Sequence, residues 1–448
     1  MKKIIIVPSN TDLNRGDQAL VWESIRLVEE IYGKDNVKCI LMADLDSPNS
    51  ELQNRQTEEH GYEFVDTILK HPGRRFSHKE ADSKSYTSIT ILQWGAQAVV
   101  DYISSRPLMS KYKFIRKIGE FFLSRKGRYT LQQIKDADAV FVKGGGFIHS
   151  YGAITDPYFI YYLTNTLRIA QAYNKKVIML PNSIGPLKNF LARHTAIKVL
   201  KKCSLVTVRE NISKLYLDSL NVNTSLYPDL GFYLQPSENS FDDYLKSLNI
   251  PLDKKKVVMT LRPYRFQGFS DPAKFFANYI IGVTNLVRHL SNRGYHITFM
   301  AHTLGPSSHE DDRIAIKDVI NHLPVNIKNS ISYIEDYNLT CRDVEKIYSY
   351  YDYMIGTRFH SVIFSLNVHV PSIAIAYGGN KGKGIMNVLG NDDFSIDMDK
   401  ISENSLVDMF NKLESEREMY LAKLTLSRKL ICQKREEFIE QIRSITKI

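Results

Sequence analysis

The chain has 448 residues, 43% hydrophobic and 24% charged, which excludes a disordered or fibrous protein and exceeds what one hydrophobic core organises, so two domains are expected. Its net charge of +10 is local: thirteen Lys or Arg against four acidic residues lie between Lys70 and Arg128, and the remainder is near neutral, which excludes a global polyanion-binding surface. Cys39, Cys203, Cys341 and Cys432 are widely separated with no CxxC pair, so neither a zinc site nor a disulfide framework is expected, no metal is assigned, and a reducing, cytoplasmic compartment fits.

At the start of the chain two lysines lead into Ile4-Ile5-Ile6-Val7, but Pro8, Ser9 and Asn10 cut the run far short of a signal-peptide core; it reads as the first buried strand. From there to about Leu234, short β-rich runs alternate with helical stretches, the signature of a parallel sheet with crossover helices. Strands are expected at Ile4–Val7, Val37–Met42, Ala139–Val142, Val177–Leu180 and Leu205–Val208, and helices at Gln18–Tyr32, Tyr158–Tyr173, Asn189–Lys202 and Asn211–Leu220. The basic tract, about residues 70–130, interrupts this half. Apolar residues recur through Trp94, Ala98, Val99 and Tyr102 and again through Phe114, Ile118 and Phe121, so it is predicted to hold helices. They form either a solvated insertion packed on the first domain or a membrane-docking surface, with Arg116, Lys117, Arg125 and Lys126 the basic residues placed on the membrane.

A polar stretch at 236–255, containing Pro236 and Pro251, reads as a linker. A second βα series follows: strands at Val257–Leu261, His296–Ala301, Ile331–Ile334, Tyr353–Ile355 and Ser372–Ala376, with a helix through Lys274–Asn292. The division is therefore a first Rossmann-like domain over 1–235, a second over 256–402, and amphipathic helices over 403–448. Two such halves are expected to face each other across a cleft, with ligands beyond the carboxyl ends of the strands. No stretch approaches the roughly 18 apolar residues of a membrane span.

Chemistry concentrates at Thr357-Arg358-Phe359-His360-Ser361, where an apolar strand stops at Gly356 and an apolar helix begins near Val362. Helix N-termini carry unpaired N–H groups and favour anions. In extended backbone Arg358 and His360 would point to one side and Phe359 to the core, placing a fixed positive charge beside a titratable proton donor; the alternative is a loop-capping Arg and a packing His. Gly144, Gly145 and Gly146 follow a strand and serve either close ligand approach or a turn. Asp17 either polarises an acceptor hydroxyl or caps the helix expected at Gln18. Glu210 and Asp229 are candidate bases or interdomain ion-pair partners. Arg262 and His302 end strands of the second half, where they meet ligand or complete loops.

The string GTRFHSVIFSLNVHVPSIAIAY resembles the carboxyl-terminal signature of the polysaccharide pyruvyltransferases. Other segments match in the family's order: Asn14-Arg15-Gly16-Asp17-Gln18-Ala19, Lys143-Gly144-Gly145-Gly146, Asn182-Ser183-Ile184-Gly185-Pro186, Val208-Arg209-Glu210-Asn211-Ile212-Ser213, Pro228-Asp229, and His302 with Asp311 and Asp312. The resemblance implies a GT-B-like fold, phosphoenolpyruvate as donor substrate with no cofactor, and a sugar or oligosaccharide acceptor, free or lipid-linked, at the inner face of the membrane. It implies that Arg358 and Arg209 bind the donor and that His360 supplies the acid; Phe359, between Arg358 and His360, is grouped with the donor-binding residues, and Arg262 is placed there by its strand-end position, within reach of the donor carboxylate. The chain departs from the family's Tyr-x-x-Lys by one residue at Tyr377-Gly378-Gly379-Asn380-Lys381, which leaves Lys381 and Lys383 without an assigned role. The rival reading is a GT-B glycosyltransferase using a nucleotide sugar. No nucleic-acid-binding module accompanies the basic tract, so no nucleic-acid partner is expected.

Overall fold

A computed structural model describes residues 1–47, 49–70, 88–266, 269–308, 310–377 and 381–446. Part of the basic tract (Arg74, Arg75, Lys79, Lys84) and the glycine-rich 378–380 lie outside them, as do the side chains of Lys381 and Lys383.

The first sheet is parallel throughout, in the order β3-β2-β1-β4-β6-β7-β8, with β5 on β6. Its strands are β1 Lys2–Val7, β2 Val37–Ala43, β3 Glu63–Asp66, β4 Ala139–Val142, β5 Gly145–Ser150, β6 Lys176–Leu187, β7 Leu205–Val208 and β8 Ser225–Leu226. The near-continuous apolar runs of β1, β2 and β4 are buried along almost their whole length, as strands covered by helices on both faces must be. Strand β6 runs well past the expected Leu180, through Pro181 and Pro186, because β5 pairs along that extension, with Gly145 opposite Asn182 and Ile148 opposite Ile184. The helix expected at Tyr158–Tyr173 is two, Asp156–Leu163 and Asn165–Ala172. At the break, the Thr164 hydroxyl bonds back to the Ile160 carbonyl at 2.7 Å, a local competitor of the helical ladder.

The second sheet has the order β11-β10-β9-β12-β13-β14, again parallel. It is built from β9 Lys256–Thr260, β10 His296–Met300, β11 Ser332–Ile334, β12 Tyr353–Gly356, β13 Ser372–Ala376 and β14 Ser395–Asp397. Local signals set its helix starts: Asp271 caps the helix Pro272–Asn292, and Thr340 with Asp343 forms a capping box for Cys341–Tyr348.

The chain divides into two compact units, one of 1–12, 20–230 and 434–448, the other of 13–19 and 231–433. This differs from the expected partition in three ways. The stretch 236–255 belongs to the second unit and carries a helix, Asp242–Ser247. The terminal helices Ser405–Ser415 and Arg417–Thr446 are no separate module: the chain before 434 packs with the second unit and the remainder with the first, where Arg435 pairs with Glu30 at 2.8 Å. Finally, residues 13–19 pack with the second unit through an Asn14 to Thr303 bridge and a Leu304 N–H to Leu13 carbonyl bond of 2.8 Å.

Candidate active site

Within the second unit three adjacent strands, β10, β9 and β12, run parallel, and the residues just past their carboxyl ends are His302, Arg262 and Arg358. Thr357 holds the β12 end to β9: both its N–H and its hydroxyl donate to the Thr260 carbonyl at 3.0 Å. Arg358 is the extended N-cap of the helix Phe359–Asn367, and its own side chain does not cap that helix. Only Arg358 is extended; Phe359 and His360 are already helical. The expected alternation is therefore corrected. Arg358 is the buried residue, whereas Phe359 is half-buried and sits edge-on to the His360 ring at 5.2 Å.

Arg358 is held from behind. Its Nε donates to Asp312 Oδ1 at 2.7 Å, its Nη2 lies 2.6 Å from the same oxygen and donates to the Glu310 carbonyl at 2.7 Å. A fork free to clamp an anion with two parallel bonds is thus not what the structure presents, since Nε and Nη2 are both engaged. Asp312, fully buried, also accepts the N–H groups of His302 and Thr303 at 3.0 and 2.9 Å. One carboxylate so joins the β10 end to the β12 end. Burial disfavours charge on the guanidinium, but Asp312 reverses this and leaves the Arg358 pKa above its ordinary value. Burial raises the Asp312 carboxyl, opposed chiefly by Arg358.

His302 is buried against Phe364, its Nδ1 3.1 Å from the Tyr348 hydroxyl and its Nε2 without a hydrogen-bond partner among the described residues. Burial, then His360, Arg358 and Arg15, push its pKa well below the ordinary imidazole value. The neutral form of His302 is therefore favoured. Half-buried His360 packs on Gly16: a Cβ built there would come within 2.5 Å of the His360 Cβ and Cγ, and nearer still to Nδ1. Only glycine at 16 leaves the imidazole where it is.

Arg262 stacks on Tyr377, its guanidinium carbon 3.9 Å from the ring centroid, and its Nε is buried without a hydrogen-bond partner among the described residues. A buried guanidinium N–H left unpaired is costly. Asp17 does not cap its helix. The helix is Arg15–Tyr32, Asn14 accepts the N–H groups of Gly16 and Asp17, and Asp17 takes the Asn14 amide at 2.8 Å. Asp17 thus orders the turn that presents Gly16.

The remaining candidates lie in the first unit. Arg209, past the end of β7, donates to Ser183 Oγ at 2.8 Å and pairs with buried Asp229 at 2.5 Å. That pair is internal to the unit. Glu210 caps the helix Asn211–Asp218, accepting the Ser213 N–H at 2.7 Å and the Ser213 hydroxyl. Gly145, with φ 144°, opens β5, and Gly144 packs on the Pro181 carbonyl, 3.0 Å from where a Cβ would lie. The triple glycine is thus the link between two strands; Gly146, half-buried, is already in β5.

Sequence reasoning quoted Asp312 and Gly16 as parts of motifs without giving them roles. An aspartate just inside a helix start reads as a dipole partner, and nothing local signals its burial beneath Arg358.

The family described as polysaccharide pyruvyl transferase matches residues 14–379. The amylovoran biosynthesis protein AmsJ of Erwinia amylovora is 22% identical over 298 residues, covering 62% of this chain and 66% of AmsJ, so the chain spans just under two thirds of that relative. Among solved structures, Anabaena HepE in complex with UDP-glucose aligns with a TM-score of 0.55 at 9% identity over 99% of both chains. S. aureus MnaA with UDP aligns with a TM-score of 0.58 at 10% identity over 99% of this chain and 96% of MnaA. At such identities the likeness is one of fold, the two-domain α/β architecture of GT-B glycosyltransferases and sugar-nucleotide epimerases.

Proposed function

The chain belongs to the polysaccharide pyruvyl transferase family, and from that premise we propose that it transfers an enolpyruvyl unit from phosphoenolpyruvate to sugar hydroxyls, closing a pyruvate ketal on a polysaccharide or its precursor. The observation that carries this reading is the convergence of Arg262, Arg358 and His360 past adjacent strands of one sheet. Phosphoenolpyruvate presents a carboxylate and a phosphate on a small frame. Two fixed guanidiniums and a helix start suit those anions, and a histidine in the first turn of that helix suits the proton transfer.

In the proposed reaction the His360 imidazolium protonates the methylene carbon, and the adjacent carbon becomes an oxocarbenium-like centre. An acceptor hydroxyl attacks it and its proton restores the imidazolium. Phosphate then leaves with its bonding electrons, a neighbouring hydroxyl closes the ring, and its proton goes to the phosphate. Asp312 holds Arg358, and Gly16 admits His360 to its position. A cytoplasmic location belongs to the proposal; the four cysteines are free thiols, the state a reducing compartment maintains.

The test is phosphate release from phosphoenolpyruvate across a panel of free and lipid-linked glycosides, with mass spectrometry for the added ketal, beside binding of UDP-sugars. Acceptor-dependent release with a ketal product supports the reading. Transfer of a sugar from a UDP donor, with phosphoenolpyruvate inert, replaces it with a nucleotide-sugar glycosyltransferase.

A further inference from the structure

We propose that the helices Ser88–Ser105 and Lys113–Phe121 form a membrane-insertion surface that seats the protein in the interfacial layer of an anionic bilayer. Both helices have inverted polarity. On Ser88–Ser105 the outward stripe is Ile89, Leu92, Ala96, Val100 and Ile103, with Ile89, Leu92 and Ile103 68%, 73% and 64% exposed. Its inward face carries polar groups beside half-buried Trp94 and Ala98: buried Asp101 accepts from Gln97 and from the Tyr158 hydroxyl, and buried Ser105 meets the Tyr161 hydroxyl at 2.8 Å.

The second helix repeats the pattern. Phe114 and Phe121, 75% and 80% exposed, flank exposed Ile118 on the outer face, and exposed Phe122 follows the helix. Inward lie Gly119, too close to the Leu108 backbone for any side chain, Glu120, paired with Lys135 at 2.7 Å, and Arg116, lying over the Tyr173 ring at 4.7 Å. Both helices pack on the turn Arg106–Met109 that joins them, so the stripes belong to neighbouring elements. Single exposed apolar residues are ordinary, but two adjacent helices with their polar faces turned inward mark an interaction surface.

Charge decides the occupant. Lys113 and Lys117 flank the Phe114–Phe121 stripe and exposed Arg125 follows it; these suit anionic headgroups around inserted rings, whereas a second copy of the surface would bring like charges together. Among the described residues no helix is long and apolar enough to cross a membrane, so the mode is insertion into one leaflet. Of the basic residues singled out by sequence, Arg116 is turned inward on Tyr173 and the Ser110 carbonyl, while exposed Lys126 pairs with Asp46 at 2.7 Å.

Vesicle co-sedimentation of the full chain, without substrate, separates this from the donor chemistry. The vesicles are phosphatidylcholine alone or with phosphatidylglycerol, at low and high salt. The wild type is expected to sediment with the anionic vesicles and to keep part of that binding at high salt, because insertion is not screened. Phe114→Ser with Phe121→Ser, both exposed and therefore compatible with an unchanged melting temperature, is expected to lower the partition coefficient at least ten-fold. Lys113→Ala with Lys117→Ala is expected to lower it several-fold at low salt only. Wild type remaining in every supernatant, or the serine variant sedimenting like wild type, overturns the proposal. So does a wild-type dimer in size exclusion that the serine variant abolishes without any vesicle binding.

Discussion

Arg209–Asp229 in the first unit and Arg358–Asp312 in the second are both buried ion pairs just past the end of a parallel strand. They differ in what the rest of each group touches. Asp312 ties together the ends of β10 and β12, and its arginine is the N-cap of a helix whose first turn holds His360. Asp229 meets an arginine that is bonded to Ser183, and the adjacent Glu210 is spent on a cap. The same pair of residue types at the same place in a βα unit can thus brace a strand end or aim a titratable group; its neighbours decide which.

The sharpest separation of the two comes from His360→Ala. Turnover of phosphoenolpyruvate should fall by about 10²–10⁴-fold with the melting temperature unchanged; steady-state phosphate release and calorimetry check it, and near-normal turnover removes His360 from the mechanism. Next come Asp229→Ala and Asp312→Ala, each removing the carboxylate paired with a buried guanidinium and each expected to cost about 3–5 kcal/mol of stability in urea unfolding. The comparison predicts that a temperature low enough to keep both variants folded reveals lost turnover in Asp312→Ala beyond the folded fraction. Equal behaviour of the two would dissolve the distinction.

Gly16→Ala isolates positioning. The added methyl must displace the imidazole, and a shift of about 1 Å costs on the order of 10²-fold in turnover with donor KM little changed, measured by the same assay. The smallest effect is a pH slope. His302, depressed by burial and its cationic neighbours, and His296, brought to about 4 mainly by burial, both lie in the second unit. Between the ordinary imidazole pKa of about 6.5 and those depressed values the folded state binds fewer protons than the unfolded state. Stability is therefore complete above about pH 6.5 and falls as the pH drops, His302 contributing up to about 1.4 kcal/mol per pH unit. Urea unfolding at pH 7.5 and 5.5 should show this loss, and His302→Gln should reduce it. An unchanged slope would count against a neutral, buried His302.

Much of the site was legible. Arg262, His302 and Arg358 were each marked by an apolar strand run ending in a polar residue, and His360 by the strand-to-helix junction. What failed was orientation. Alternation in extended backbone put Phe359 in the core, but the helix starts one residue past Arg358, and a 100° turn per residue replaces a 180° one. Strand β5 was missed because three glycines read as a turn, and β6 was cut short at Pro181 because its partner strand was not visible locally.

By itself the sequence determined the alternation of buried strands and helices, since apolar runs of four or five residues bounded by turn residues suit strands inside a covered sheet, and it determined helix starts wherever a capping side chain is a near neighbour. Tertiary structure alone decided the groupings between residues far apart in the chain. Gly16 lies against His360, Asp312 beneath Arg358, and Arg262 beneath Tyr377. It also decided which face of the helices Ser88–Ser105 and Lys113–Phe121 looks outward. Periodicity specifies that a helix has two faces, but the side that is buried depends on what the neighbouring elements offer. Here Tyr158, Tyr161 and Tyr173 offer hydrogen bonds and a ring face rather than an apolar wall.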